Sequence, residues 1–168
     1  LFIQNLGWTD TEYVAVTGGW AVTAGIAGTI LGGIIADKFG ARRIASLFAV
    51  LTGLSIFTIA LAEPLWENRK VMWWLIVIYP FFGAAMGISL ISLFMNVTWP
   101  KVGATQFTLY MAMLNFGALF GLKMAGYFEA NFDYTTTIMI GGTCQLLIAF
   151  VLPFIDPGQT RRELGNDF

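Results

Sequence analysis

Gly33-Ile34-Ile35-Ala36-Asp37-Lys38-Phe39-Gly40-Ala41-Arg42-Arg43 stands between two long apolar runs, and its reading decides the fold. One acid and three bases fall within the seven residues 37–43, in a chain of which only 11% is charged. Such a cluster has to lie in water. It therefore reads as a turn joining two apolar helices, and it marks on which side of the bundle both of them end.

Composition points to a membrane class without help from that turn. Hydrophobic residues make up 57% of the chain and the mean hydropathy is +0.73, whereas a soluble domain is about 25% charged. A crossing of a ~30 Å hydrocarbon core needs roughly 20 apolar residues. The 168 residues thus have room for one compact bundle and no second domain. The fold class expected is all-α and integral to the membrane, with the lipid bilayer as a partner. A net charge of −1 favours neither nucleic acid nor an anionic surface as a partner. The single cysteine, Cys144, lies in an apolar run and reads as a buried free thiol, with no disulfide and no thiolate metal cluster.

Five spans follow from the apolar runs and their breaks, at about 11–36, 44–61, 71–97, 104–128 and 134–154. Residues 1–8 are too short to cross anything and read as the remnant of a truncated helix with its link; residues 156–168 form a polar tail. Asp10 serves as N-cap of the first span. Within it Ala24, Gly28, Gly32 and Ala36 recur every four residues, a flat stripe that lets another helix approach closely. Pro64 closes the second span, and the mixed-charge link 63–70 is expected in water. Trp73 and Trp74 open the third span at headgroup level. Tyr79-Pro80 inside it predicts a kink.

Alternation places the turn 37–43, Lys101 and Arg161-Arg162 on one side, six basic residues in all, against Arg69 and Lys70 on the other. The positive-inside rule makes the first side cytoplasmic.

The pattern G-x-x-x-D-[RK]-x-G-x-[RK]-[RK] over residues 33–43 resembles, position for position, the signature loop of the major facilitator superfamily of secondary transporters. The resemblance implies a six-helix half bundle, here five complete spans and a remnant of the first. It also implies a missing six-helix half as partner, a small-molecule solute, and alternating access between halves. Gly103-Ala104-Thr105-Gln106-Phe107 is similar to a turn of the branch holding the AmpG-type muropeptide permeases and the acetyl-CoA transporters, and with the polar tail it favours the C-terminal half. Ala118 departs from that branch, which commonly carries arginine there, so substrate identity does not transfer.

By the resemblance, Gly33, Asp37, Lys38, Gly40, Arg42 and Arg43 form a gating loop, with Asp37 the latch. Asp37 sits at the C-terminal end of its own helix, where negative charge is disfavoured, so it needs a partner elsewhere. The basic residues serve equally well as anchors to anionic headgroups. Lys123 is the one ionisable side chain well inside a span, which by default suggests function. Against that, it lies near the extracytoplasmic edge and can snorkel. Asn115, Ser89, Ser92, Asn96, Tyr79 and Tyr110 complete the candidate substrate pathway; for Ser89, Ser92 and Asn96, which share a helix face, interhelical bonding is an equal reading.

The chain has no histidine, no intrahelical acidic pair and no P-loop. No cofactor, metal or enzymatic activity is expected, and ATP does not drive transport from this chain. Ion-gradient coupling across a cell membrane is left by elimination, as in a symporter. The competing expectation is a membrane scaffold or half-transporter subunit that kept the fold and lost the path.

Overall fold

A computed structural model describes residues 2–3, 6–156, 158–159 and 162. The described residues contain five helices long and apolar enough to cross a membrane: α1 (Asp10–Phe39), α2 (Ala41–Leu61), α3 (Arg69–Val97), α4 (Pro100–Asn131) and α5 (Tyr134–Phe154). Helices apolar on all sides bury little against one another and turn the rest to lipid. Trp20, Ile30, Leu54 and Phe150 are accordingly exposed on the bundle surface.

Four of the spans run longer than the apolar runs suggest, the fifth matching its expected bounds, and side-chain caps mark the starts of three helices. Thr9, rather than Asp10, caps α1: its hydroxyl accepts the Glu12 N–H at 3.2 Å and the Glu12 carboxylate accepts the Thr9 N–H at 3.0 Å. Asn68 caps α3 through the N–H groups of Lys70 and Val71, and Asp133 caps α5. A π-helical stretch, Ala15–Trp20, interrupts α1 around Gly18-Gly19, which hydropathy does not reveal. Helix α3 continues through Pro80.

α1, α3, α2 and α5 pack in that spatial order, each mainly against its neighbour in the row. Small residues set the spacing. A Cβ on Gly28 would stand 2.2 Å from the Phe81 carbonyl oxygen, and one on Gly32 2.6 Å from the Ala85 Cα. The stripe on α1 is a packing face, as its spacing suggests. Ala41, Ala45 and Ala49 of α2 meet Leu93 of α3 and Ala149 and Leu152 of α5 in one core cluster. Gly53 and Gly142 repeat the close approach between α2 and α5, facing Leu146 and Phe57 respectively.

The ends opposite the charged turn are tied by side chains. Arg69 pairs with the Glu12 carboxylate and donates to the Gly7 carbonyl at 3.1 Å. Thr135 donates to Glu63 at 2.7 Å. The link 63–70 is not wholly in water: Trp66 is buried with Trp8, Val16 and Met72, its indole N–H donating to the Ile59 carbonyl at 2.8 Å. Among the described residues before Thr9 there is no helix; this stretch turns back so that Trp8 seals the same cluster. Leu1, Gln4 and Asn5 lie outside the described residues, as do most positions of the tail. Cys144 is free but exposed rather than buried, since α5 turns Gly142 and Ala149 inward.

α4 stands apart. None of its residues is buried, and Gly117, Gly121 and Gly126 have nothing within 4 Å of where a Cβ would lie. It joins the row at its ends, for example where the Tyr110 ring meets Phe94 at 5.1 Å.

Candidate functional site

The turn between α1 and α2 is shaped by Gly40. Its φ of 96° is one that side-chain-bearing residues rarely adopt. Its N–H closes α1 on the Ala36 carbonyl at 2.9 Å, while its own carbonyl accepts from Ile44 at 3.2 Å in the first turn of α2. One residue thus ends one helix and begins the next, which holds four charged side chains at a common level. Gly33 is less constrained: a Cβ there would meet Ile88 at an ordinary 3.7 Å.

Each charged side chain of the turn has a different situation. Lys38 lies over the Phe39 ring, 5.4 Å from its centre. Arg42 reaches across the bundle to the end of α5, its Nη1 3.0 Å from the Ile155 carbonyl oxygen and 3.5 Å from that of Pro153. Asp37 and Arg43 are exposed, and neither makes a hydrogen bond or ion pair among the described residues. Asn96, at the end of α3, joins them: with Phe39, Gly40, Ala41, Arg42 and Arg43 it lines an open hollow of about 280 Å³. Residues separated by more than fifty positions thus line one open hollow at this end of the bundle, its walls largely apolar.

The pathway candidates do not converge as one set. Ser89 is fully buried, between Ala85 and Leu93 on the face of α3 that enters the core, and its hydroxyl donates to the Ala85 carbonyl at 2.7 Å. Ser92 is half-buried and Asn96 exposed, so the stripe they share with Ser89 runs from core to surface. Tyr79 is exposed, and Tyr110 is half-buried against Phe94. Asn115 donates to the Met111 carbonyl at 3.0 Å and remains exposed. Lys123 is exposed as well, and at 3.6 residues per turn it falls roughly 140° round α4 from Tyr110, which packs on Phe94. Gln106 serves the turn before α4, accepting the Trp99 N–H at 2.7 Å.

Beyond this turn, the family model of the Major Facilitator Superfamily matches residues 1–167, nearly the whole chain. The chain belongs to the Major Facilitator Superfamily. That family is one of membrane transporters. The chain is 28% identical over 138 residues to the 3-(3-hydroxy-phenyl)propionate transporter of Escherichia coli (strain K12), an alignment covering 80% of this chain and 33% of that protein. The chain therefore spans about a third of the length of the curated relative it matches. No solved structure matches it.

Sequence reasoning missed the bond from Arg42 to the end of α5 and the tie from Arg69 to Glu12 and Gly7. Nothing local signals either, since the partners are backbone carbonyls or lie 57 to 113 positions away.

Proposed function

We propose that this superfamily chain is the C-terminal six-helix half of a secondary carrier in a cell membrane, moving a small organic anion by alternating access against an N-terminal half. The observation that carries the reading is α4, a spanning helix of which no residue is buried while the other four pack in a row. A helix whose residues 112–123 are exposed on every side suits packing against a second half rather than within this bundle. Asp37 supports the same reading: a carboxylate at the unfavourable end of α1, with no partner among the described residues, suits a latch closed from the other half.

An anionic solute is favoured by two features. Lys123 and Asn115 lie on exposed parts of α4, and the relative's name specifies an aromatic carboxylate. Tyr79 is exposed and Tyr110 half-buried, and each offers an aromatic face, while Ser89 is closed off by packing. The turn 103–107 supports the AmpG-type branch, with Ala118 the departure that keeps the substrate of that branch from transferring to this chain. Coupling to an ion gradient is the proposed driving force, consistent with the lack of a nucleotide-binding loop in this sequence, with facilitated passage without coupling the alternative.

The test is uptake of labelled 3-phenylpropionate and related carboxylates into vesicles holding the complete natural protein, with and without an imposed proton gradient. Gradient-dependent accumulation, reduced by Lys123→Ala and by Asp37→Asn, is the expected result. A folded protein that takes up none of the panel under either condition would overturn the anion assignment. The scaffold reading would gain if the natural protein also lacked a second six-helix block.

A further inference from the structure

Of the charged residues in the turn, Arg42 alone reaches another helix among the described residues. Its Nη1 lies 3.0 Å from the Ile155 carbonyl oxygen and 3.5 Å from that of Pro153. Those carbonyls belong to the end of α5, where Leu152–Phe154 tighten into a 3₁₀ turn and Ile155 is extended. The last carbonyls of a helix lack intrahelical donors and carry partial negative charge, so a guanidinium there satisfies both needs. Beneath it, Ala41 and Ala45 of α2 pack on Ala149 and Leu152, with Ile155 against the same cluster. The guanidinium therefore bonds at a contact that packing has already placed.

The chain beyond α5 continues the pattern. Asp156 accepts the Gly158 N–H at 2.9 Å and pairs with Arg162. The Arg162 hydrogen bond first, then the Gly158 N–H, hold the Asp156 carboxyl below the ordinary carboxylate range, and the Arg42 charge adds least. Arg42, Asp156 and Arg162 form a row of alternating sign leading from the turn into the tail.

We infer that Arg42 is a positioning residue that fastens the start of the tail to the charged turn, so that a displacement of one is transmitted to the other. Arg43, one residue on, has no such contact among the described residues and takes no part. The pair of arginines is thus divided between an internal brace and an outward-facing charge. The brace stands on the fold of this bundle and does not depend on which solute, if any, is carried.

The test measures the distance between spin labels in the complete protein, in a Cys144→Ser background carrying Leu47→Cys on α2 and Gly158→Cys in the tail. Leu47 is half exposed, 50%, and lies outside the charged turn. With Arg42 intact the distance distribution is expected to be narrow; Arg42→Gln should broaden it at least twofold with the melting temperature held within a few degrees, and Arg43→Gln should leave it narrow. Arg42→Lys should broaden it as well, because a point charge on a flexible stem does not reproduce the fork of a guanidinium, and it carries the test if Arg42→Gln does not fold. Unchanged width in Arg42→Gln or Arg42→Lys would overturn the inference. Equal broadening by Arg43→Gln would overturn it too, pointing to attachment of both arginines to lipid phosphate.

Discussion

Gly28 of α1 and the carbonyl of Phe81 in α3 are so close that a Cβ on the glycine would stand 2.2 Å from the oxygen. No rotamer change relieves that contact, because the obstacle is backbone. The two helices must separate for any larger residue to enter.

Gly28→Ala is therefore expected to destabilise the bundle by ~1–3 kcal/mol, the range for overpacking, in spite of alanine's better helix propensity. Gly33→Ala, where the added carbon meets Ile88 at 3.7 Å, serves as the comparison and should be neutral or mildly stabilising. Thermal unfolding in detergent reads both; a Gly28→Ala protein as stable as the parent would show that α1 and α3 are not held at this distance.

Gly40→Ala tests the turn. A φ of 96° forced on alanine stores strain of about 1–3 kcal/mol, although space for the methyl is open. The effect should appear as lowered stability with the packing of α1 on α3 intact. A disulfide bridging introduced cysteines across that interface should still form at the parental rate, and its loss would mean that the turn organises more than its own geometry.

Asp133 caps α5 by accepting the Thr136 N–H at 2.9 Å and its hydroxyl at 2.7 Å. The hydroxyl bond first, then the N–H bond, hold its carboxyl below the ordinary carboxylate value. A depressed folded pKa means that the contribution is complete above the unfolded value, about 3.9, and is lost as pH falls through the lower folded value. Unfolding temperature measured from pH 7 to pH 2.5 should show an acid limb that is shallower in Asp133→Asn than in the parent. Superimposable acid limbs would remove Asp133 from the account.

Ser89 and Lys123 separate packing from pathway. Ser89→Ala is expected to leave solute uptake unchanged, since the hydroxyl serves only the Ala85 carbonyl of its own helix. Ser89→Leu should lower stability by overfilling the face between Ala85 and Leu93, both of which are fully buried. Lys123→Ala should do the opposite, reducing uptake with stability kept, because Lys123 is exposed and unbonded among the described residues. Loss of uptake in Ser89→Ala, in a protein of normal melting temperature, would place Ser89 on the path after all.

Spans, class and charged turn were legible in the residue pattern for a simple reason. Lipid demands about twenty apolar residues per crossing and expels clustered charge to the surface, so hydropathy along the chain records the crossings directly. The small-residue stripe on α1 was legible for a similar reason, because only glycine and alanine permit backbones to approach. Capping residues, the burial of Trp8 and Trp66, the exposure of Cys144 and the isolation of α4 were not legible, since every one depends on which helix lies beside which. The division of labour between Arg42 and Arg43 is the clearest case. The two are identical in type and adjacent in sequence, yet successive residues on a helix point about 100° apart, and only the placement of α5 beside α2 gives one of them a helix end to hold.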